Sequence, residues 1–238
     1  MKSRLRPKSS VVHVQPAGAT LDVNHLLLIR HGETVGNLTQ IAHGQSESPL
    51  NERGSRQADA TARRLSSWAR HYHRIYSSPL ERARHTGERI ATSLGLALDV
   101  HEHLVEGSLG DWEGVTYEEL HAFGFARHSI ADDDFMGHGG ESPNQLGQRM
   151  FGVVEQLRAL HPGENVICVS HGAAIAHLLA KLLGTRPAFG HQYLMHNAAI
   201  TEVAFLPQGG VDVLILNEFS HLPDDLRSIT PAAEARRR

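Results

Sequence analysis

The chain has 238 residues, 40% apolar and 21% charged, with a net charge of -3; this suffices for one packed domain, or a domain with a small cap, and leaves no basic footprint for nucleic acid. No stretch approaches the ~18 apolar residues that a membrane span needs, and the basic start of residues 1–23 has no apolar run of a secretory leader, so it reads as a flexible N-terminal tail. The single cysteine, Cys168, excludes an internal disulfide and suits a reducing, cytoplasmic setting.

Short apolar runs alternate with helical patterns along the rest of the chain. Strands are expected at 25–30, 73–77, 97–101, 165–170, 199–205 and 211–217. Residues 166–170, VICVS, lack any polar alternation, as expected of a strand covered on both faces. A helix follows Pro49, with Asn51 as its N-cap and Ala58, Ala62, Leu65 and Ala69 repeating on one face. The next is expected to be capped by Ser78, with Pro79 at its first position and Gly95 as its stop. Residues 107–141 break the alternation and read as an excursion that covers a pocket. A further helix opens on a capping box, Ser142 with Gln145, and ends before Pro162. The last opens at His171-Gly172 and carries Ile175, Leu178, Leu179, Leu182 and Leu183 on one stripe. Strands alternating with helices predict a single three-layer α/β/α domain around a mainly parallel sheet. The residues from 221 onward read as a C-terminal tail.

In such sheets ligands bind beyond the carboxyl ends of the strands. Arg30 and His31 follow the first strand there, Ser77 and Ser78 the second with Arg82 soon after, Glu106 the third, and Ser170, His171 and Gly172 the fourth. Taken singly, each has an ordinary use as a solvated charge, a turn or a cap. Together they form a coherent set. Guanidinium forks match phosphate oxygens, a helix N-terminus seats an anion, and two imidazoles with one carboxyl supply a nucleophile and a proton source. The 18 histidines include two His-x-His pairs, 71/73 and 101/103, which lack a third ligand at a matching site.

Six ordered segments give this pattern a family. LLLIRHGETVGN, HGQSESPLNERGSRQA, YSSPLERARHTGERI, LVEGSLGDWEG, GGES and VICVSHGAAIAHLL resemble the motifs of the histidine phosphatase superfamily, the phosphoglycerate-mutase-like proteins, over residues 24–220. The resemblance implies that His31 is the nucleophile that becomes phosphohistidine. It implies that Arg30, Arg82 and His171 bind the phosphoryl oxygens, that Glu106 is the proton donor, and that Asn37 and the Gly172 N–H help to hold the phosphate. Gln45 falls where the family lines the substrate entrance. On this reading a backbone carbonyl such as that of Gly32 fixes the His31 tautomer. The arginines and the second imidazole supply the positive charge, so neither a metal nor another cofactor is expected. One acidic and one neutral group predict a bell-shaped pH profile.

Other phosphate chemistries fit less well. Cys168 is followed six positions later by Ala174, not the arginine of a cysteine phosphatase. The run Asp132-Asp133-Asp134 lacks a preceding apolar strand and reads as a solvated loop, and no Walker motif is present. Between residues 107 and 141 there is one basic residue, Arg127, against eight acidic ones. That balance favours an acid-type phosphatase acting on a monophosphate over a mutase, which must hold a doubly phosphorylated intermediate. Phosphoglycerate-mutase-type transfer, and a non-catalytic phosphate-binding protein on the same fold, remain the alternatives. A small phosphorylated metabolite is the expected partner, with phosphoproteins and a homodimer left open. Trp112, Tyr117, Phe123 and Phe125 are candidates for the pocket mouth, with core packing expected for at least half of them.

Overall fold

The computed structural model describes residues 24–227, so the N-terminal tail and the last residues of the C-terminal one lie outside the described part. Six strands form one sheet: β1 (His25–Arg30), β2 (Arg74–Ser77), β3 (Leu98–Val100), β4 (Val166–Ser170), β5 (Ile200–Phe205) and β6 (Val211–Glu218), in the order β3-β2-β4-β1-β5-β6. The first four run parallel to one another, while β5 pairs antiparallel with both β1 and β6, which makes the sheet mixed with a parallel part. Strand ends fall within one or two residues of the sequence expectation. The third strand stops at Val100 because His101 N–H turns back to the Ser77 carbonyl and a 3-10 turn begins at Glu102.

The apolar run of β1 explains the layers. Leu26 and Leu28 join a core with Met150, Val153, Val154, Cys168, Ile175 and Leu178; Leu27 and Ile29 join the opposite core with Leu65, Ile75, Ala83, Ile90 and Val169. Successive side chains leave a strand on opposite faces, so an unbroken apolar sequence is what a two-sided strand requires. One face is covered by α2 (Glu52–Ser66) and α3 (Glu81–Leu94), the other by α6 (Pro143–Leu160) and α7 (Gly172–Leu182); the short α1 (Val35–Thr39) leads away from the end of β1. Asn51 caps α2 by accepting from Gly54 N–H, Ser142 and Gln145 form the capping box of α6, and Gly95 closes α3 at φ 68°. The excursion contains two short helices, α4 (Tyr117–Ala122) and α5 (Phe125–Ala131).

Three expectations are corrected. Helix α3 begins at Glu81 with Leu80 in the N-cap position and no side-chain cap; Ser78 is not its cap, because its hydroxyl is taken by His171 Nε2 and Leu80 N–H. The chain does not become a tail at residue 221: Leu222 and Leu226 are buried with Ala60 and Ala198, and Gln57 donates to the Leu226 carbonyl. The acidic run is a loop with Asp132 and Asp134 exposed, as expected, but it is not solvated throughout. Asp133 pairs with Arg186 and accepts from Ala188 N–H, while Asp134 accepts from Asn144, so the run ties the excursion to the domain.

The turn after β1 passes tightly over the start of α2. A β-carbon on Gly54 would overlap the Glu33 carbonyl, and one on Gly32 would overlap the Gly54 carbonyl, both of them backbone groups that cannot swing aside. Gly54→Ala is therefore expected to lower stability by about 2 kcal/mol or more, by overpacking against backbone, and thermal unfolding of the variant measures it.

Candidate active site

Residues 31–34 leave the end of β1 and are held from every side. His31 N–H donates to the Ser170 carbonyl, Gly32 N–H to Thr86 Oγ1 and Glu33 N–H to Gln57 Oε1. Ala198 N–H donates to the carbonyls of both Arg30 and His31, and Asn197 Nδ2 to that of His31 as well. Ala198 pays for this reach with a left-handed φ of 59°, a conformation that a residue with a β-carbon adopts at a cost.

The His31 ring is 4% exposed, and its Nδ1 lies 2.7 Å from the Gly32 carbonyl. A carbonyl can only accept, so Nδ1 carries the hydrogen and the lone pair is left on Nε2. Burial pushes the imidazole pKa well below its ordinary value. The Arg82 and Arg30 guanidinium groups push the same way, against the opposing pull of the Gly32 bond.

Arg82, in the first turn of α3, is 2% exposed. Its Nη1 donates to the Ser46 carbonyl at 2.8 Å, its Nη2 to the Gly44 carbonyl at 2.6 Å, and its Nε to His171 Nδ1 at 3.2 Å. Because an arginine N–H only donates, neutral His171 carries its hydrogen on Nε2 and gives it to Ser78 Oγ at 2.8 Å. Both ring nitrogens of His171 are thus engaged, and its ring lies 5.1 Å from that of His31. A direct bond from His171 to a phosphoryl oxygen requires Ser78 to release Nε2–H. Burial, then Arg82, drives the His171 pKa well down.

The anion seat expected at the start of α7 is filled by the protein itself. Glu106 Oε1 accepts from Gly107 and Ala174 N–H, and Oε2 from Ala173 N–H at 3.0 Å. The carboxyl therefore takes up the N–H groups of Ala173 and Ala174 at the start of the helix, and Gly172 is left as the first helical N–H. Glu106 also acts as the counter-charge of the site, working against the burial that lowers the pKa of both Arg30 and Arg82. Arg30 Nη1 donates to the Met195 carbonyl, while its buried Nε has no protein partner among the described residues.

Arg30, Asn37, Glu106 and Gly172 line a cavity of about 500 Å³, whereas His31, Arg82 and His171 are not among its lining residues. The Oδ1 of Asn37 accepts from Thr34 N–H and Asn197 Nδ2, which fixes the amide so that its Nδ2 is the end left for a ligand. Gln45 does not belong to the lining: it is exposed and donates to the Glu106 carbonyl. Of the four aromatic candidates, Tyr117 and Phe125 line the cavity, while Trp112 packs on Phe123 at 5.2 Å. The His-x-His pairs turn inward on the backbone, with His73 Nδ1 accepting from Asn165 N–H and His101 Nδ1 from His103 N–H.

Sequence reasoning missed two supports. Glu113 accepts from the N–H groups of Gly44, Gln45, Ser46 and Leu109 and from Ser46 Oγ, so it holds the loop whose carbonyls hold Arg82. Arg149 of α6 pairs bidentately with Glu141 at 2.7 Å and donates to the carbonyls of His103, Val105 and Glu106, clamping the segment that carries Glu106. Both acidic residues lie in quoted motifs, but their partners are far off in sequence.

Comparison with known proteins agrees with this geometry. The description of the Histidine phosphatase superfamily (branch 1) matches residues 26–218. The chain is 33% identical over 178 residues to the uncharacterized phosphatase PhoE of Bacillus subtilis, covering 75% of this chain and 86% of that one. It is also 33% identical over 187 residues to the probable phosphoglycerate mutase GpmB of Yersinia enterocolitica, 76% and 84% of the two chains. A mycobacterial glucosyl-3-phosphoglycerate phosphatase, solved with VO3, superposes with a TM-score of 0.76 at 30% identity, over 82% of this chain and all of that one. The chain belongs to the histidine phosphatase superfamily and is an enzyme of its phosphatase or phosphoglycerate-mutase-like kind. Among the described residues no helix is long and apolar enough to cross a membrane.

Two outcomes are expected from the site's supports. Glu113→Gln turns an amide N–H₂ toward backbone donors and frees the loop that holds Arg82. Because small misplacements of a positioning group cost on the order of 10- to 100-fold, kcat/KM should fall by that much in steady-state assays. His31 and His171 also make stability depend on pH. Their folded pKa values lie below the ~6.5 of an unfolded histidine, so below pH ~6.5 the unfolded chain binds protons that the folded one refuses. The melting temperature should be flat with respect to these groups above that pH and fall as pH drops below it, as a thermal scan across pH 5–8 would record.

Proposed function

We propose that the protein is a phosphomonoesterase working through phosphohistidine at His31, without a metal. In the first step the Nε2 lone pair of His31 attacks phosphorus in line and forms the N–P bond. The ester P–O bond breaks, and its oxygen leaves as the alcohol with a proton from Glu106. In the second step water adds to phosphorus and gives a proton to the Glu106 carboxylate. The N–P bond breaks, its electron pair returns to Nε2, and phosphate is released. The observation that carries this reading is the His31 Nδ1–H bond to the Gly32 carbonyl, which makes Nε2 the free nitrogen of a ring held neutral. Positioning and charge stabilisation are most of what phosphoryl transfer asks of a protein. Here Arg30 and Arg82 supply the charge, with Asn37 and Gly172 as donors. His171 contributes by orienting Arg82. Glu106 Oε2 accepts one backbone N–H and retains a second lone pair for the travelling proton.

Release of phosphate is favoured over mutase chemistry by the cavity lining. Among its described residues Arg30 is the one Lys or Arg, and it stands with Glu33, Glu106 and Glu141. A second phosphate on the substrate would find no cation there. The reading transfers to this chain the phosphatase activity named for several relatives, and a small phosphorylated metabolite as the partner.

The test is hydrolysis of p-nitrophenyl phosphate in EDTA, with rapid alkaline quench to trap the phosphoenzyme. Wild type should form an acid-labile, base-stable phosphoryl adduct that is absent from His31→Ala, and Arg82→Gln should cut kcat/KM by about 100-fold or more. Removing Arg82 also removes a cation that holds His31 neutral, so the acid limb of the pH profile, set well below 6.5 in the wild type, should move up. An isomerised ester without free phosphate would instead make the protein a mutase, and near-normal turnover by His31→Ala would sink the mechanism.

A further inference from the structure

Resting on that hydrolase reading, we propose that the alcohol half of the substrate is uncharged and apolar, an alkyl or aryl phosphate monoester rather than the ester of a small hydroxy acid. Phosphate chemistry occupies one end of the cavity, at Arg30, Asn37 and Gly172. The rest of the lining is predominantly apolar, with Leu120 from α4, Phe125 and Ile130 from α5, Leu146 from α6 and Leu194 from the segment before β5, interrupted by Ser108, Ser129 and the histidines. At about 500 Å³ the cavity has the size that encloses a drug-sized ligand, well beyond what a three-carbon ester fills. Ile130 and Leu194 keep 41% and 42% of their surface exposed in the folded chain, so apolar area at the rim is left for a ligand to cover.

Charge points the same way. Arg30 stands beside the start of α7 at Gly172, with Nη1 held by the Met195 carbonyl, and the other Asp, Glu, Lys or Arg groups of the lining are the carboxyls of Glu33, Glu106 and Glu141. Glu141 and Glu33 already take up Arg149 and Arg53, so a substrate carboxylate buried here would find no Lys or Arg of its own in the described lining, which is costly. Of the five histidines of the wall, burial lowers the pKa of His43, His138 and His177, and Nδ1 of His177 and of His191 is engaged by the carbonyls of Pro187 and Ala188, which leaves His121 as the exposed imidazole of the rim.

Two series test this together. Phosphate release from n-alkyl phosphates, ethyl to octyl, should show kcat/KM rising about threefold or more per methylene until the cavity is filled, as expected for ~0.8 kcal/mol per buried methylene. 3-Phosphoglycerate and phosphoserine should fall at least tenfold below hexyl phosphate. Calorimetric binding of the matching n-alkylphosphonates, which cannot be hydrolysed, should show the same gradient, and Ile130→Asp and Leu194→Asp should each flatten it. Turnover that is flat with chain length, or that prefers the hydroxy-acid esters, overturns the inference while leaving the hydrolase reading intact. Chain-length-dependent phosphonate binding without turnover of any ester does the reverse. Phosphonate binding that is flat with chain length overturns the inference whatever the turnover.

Discussion

A single short hydrogen bond, from His31 Nδ1 to the carbonyl of the next residue, is what the rest of the structure serves. It decides which nitrogen carries the lone pair, and it works only if the Gly32 carbonyl is aimed correctly. That aim is set by Thr86, Gln57 and Asn197 on the backbone around it, and by the close approach of α2 at Gly54. The centre of the sheet is the most constrained part of an α/β domain, and β1 lies there between β4 and β5. The reactive ring is thus carried by the stiffest part of the molecule.

The guanidinium of Arg82 is organised by the opposite strategy. It is fixed by loop carbonyls at 44 and 46, and those are fixed by one carboxylate, Glu113, that arrives from the excursion. Four backbone N–H groups and a hydroxyl converge on that carboxylate and hold its pKa below the usual range in spite of burial. Glu106 is treated similarly, pinned by the start of α7 on one side and by the Arg149 clamp on its own backbone on the other. Arg30, Arg82 and Glu106 are thus each anchored through main-chain atoms.

How much of this was legible in the sequence follows from how local each cause is. The core of β1 and β4 was readable because a strand buried on both faces has no alternation to hide behind. The Asn51 and Ser142 caps were readable because a cap acts within three residues of itself. Ser78 failed the same local logic, since a partner 93 residues away claimed its hydroxyl. The start of α7 was read as a seat for a ligand anion, whereas two of its N–H groups are taken by Glu106, which only the folded chain brings there. Gln45 lies outside the described cavity lining, bonded to the Glu106 carbonyl, and nothing in the residues around Ala198 announces a left-handed turn. Pairings across the sheet were carried by the family motifs rather than by residue patterns.

The role of Glu113 bears on how this scaffold can diversify. The same segment that supplies the apolar wall also supplies the carboxylate beneath Arg82, so recognition and chemistry share one stretch of polypeptide. A chimera that imports a foreign segment between residues 107 and 141 inherits a new preference only if it also brings an acidic side chain to that spot. Evolution of such enzymes by wholesale lid exchange is therefore restricted to donors that already carry it, whereas stepwise change at Leu120, Phe125 and Ile130 is open to any lineage.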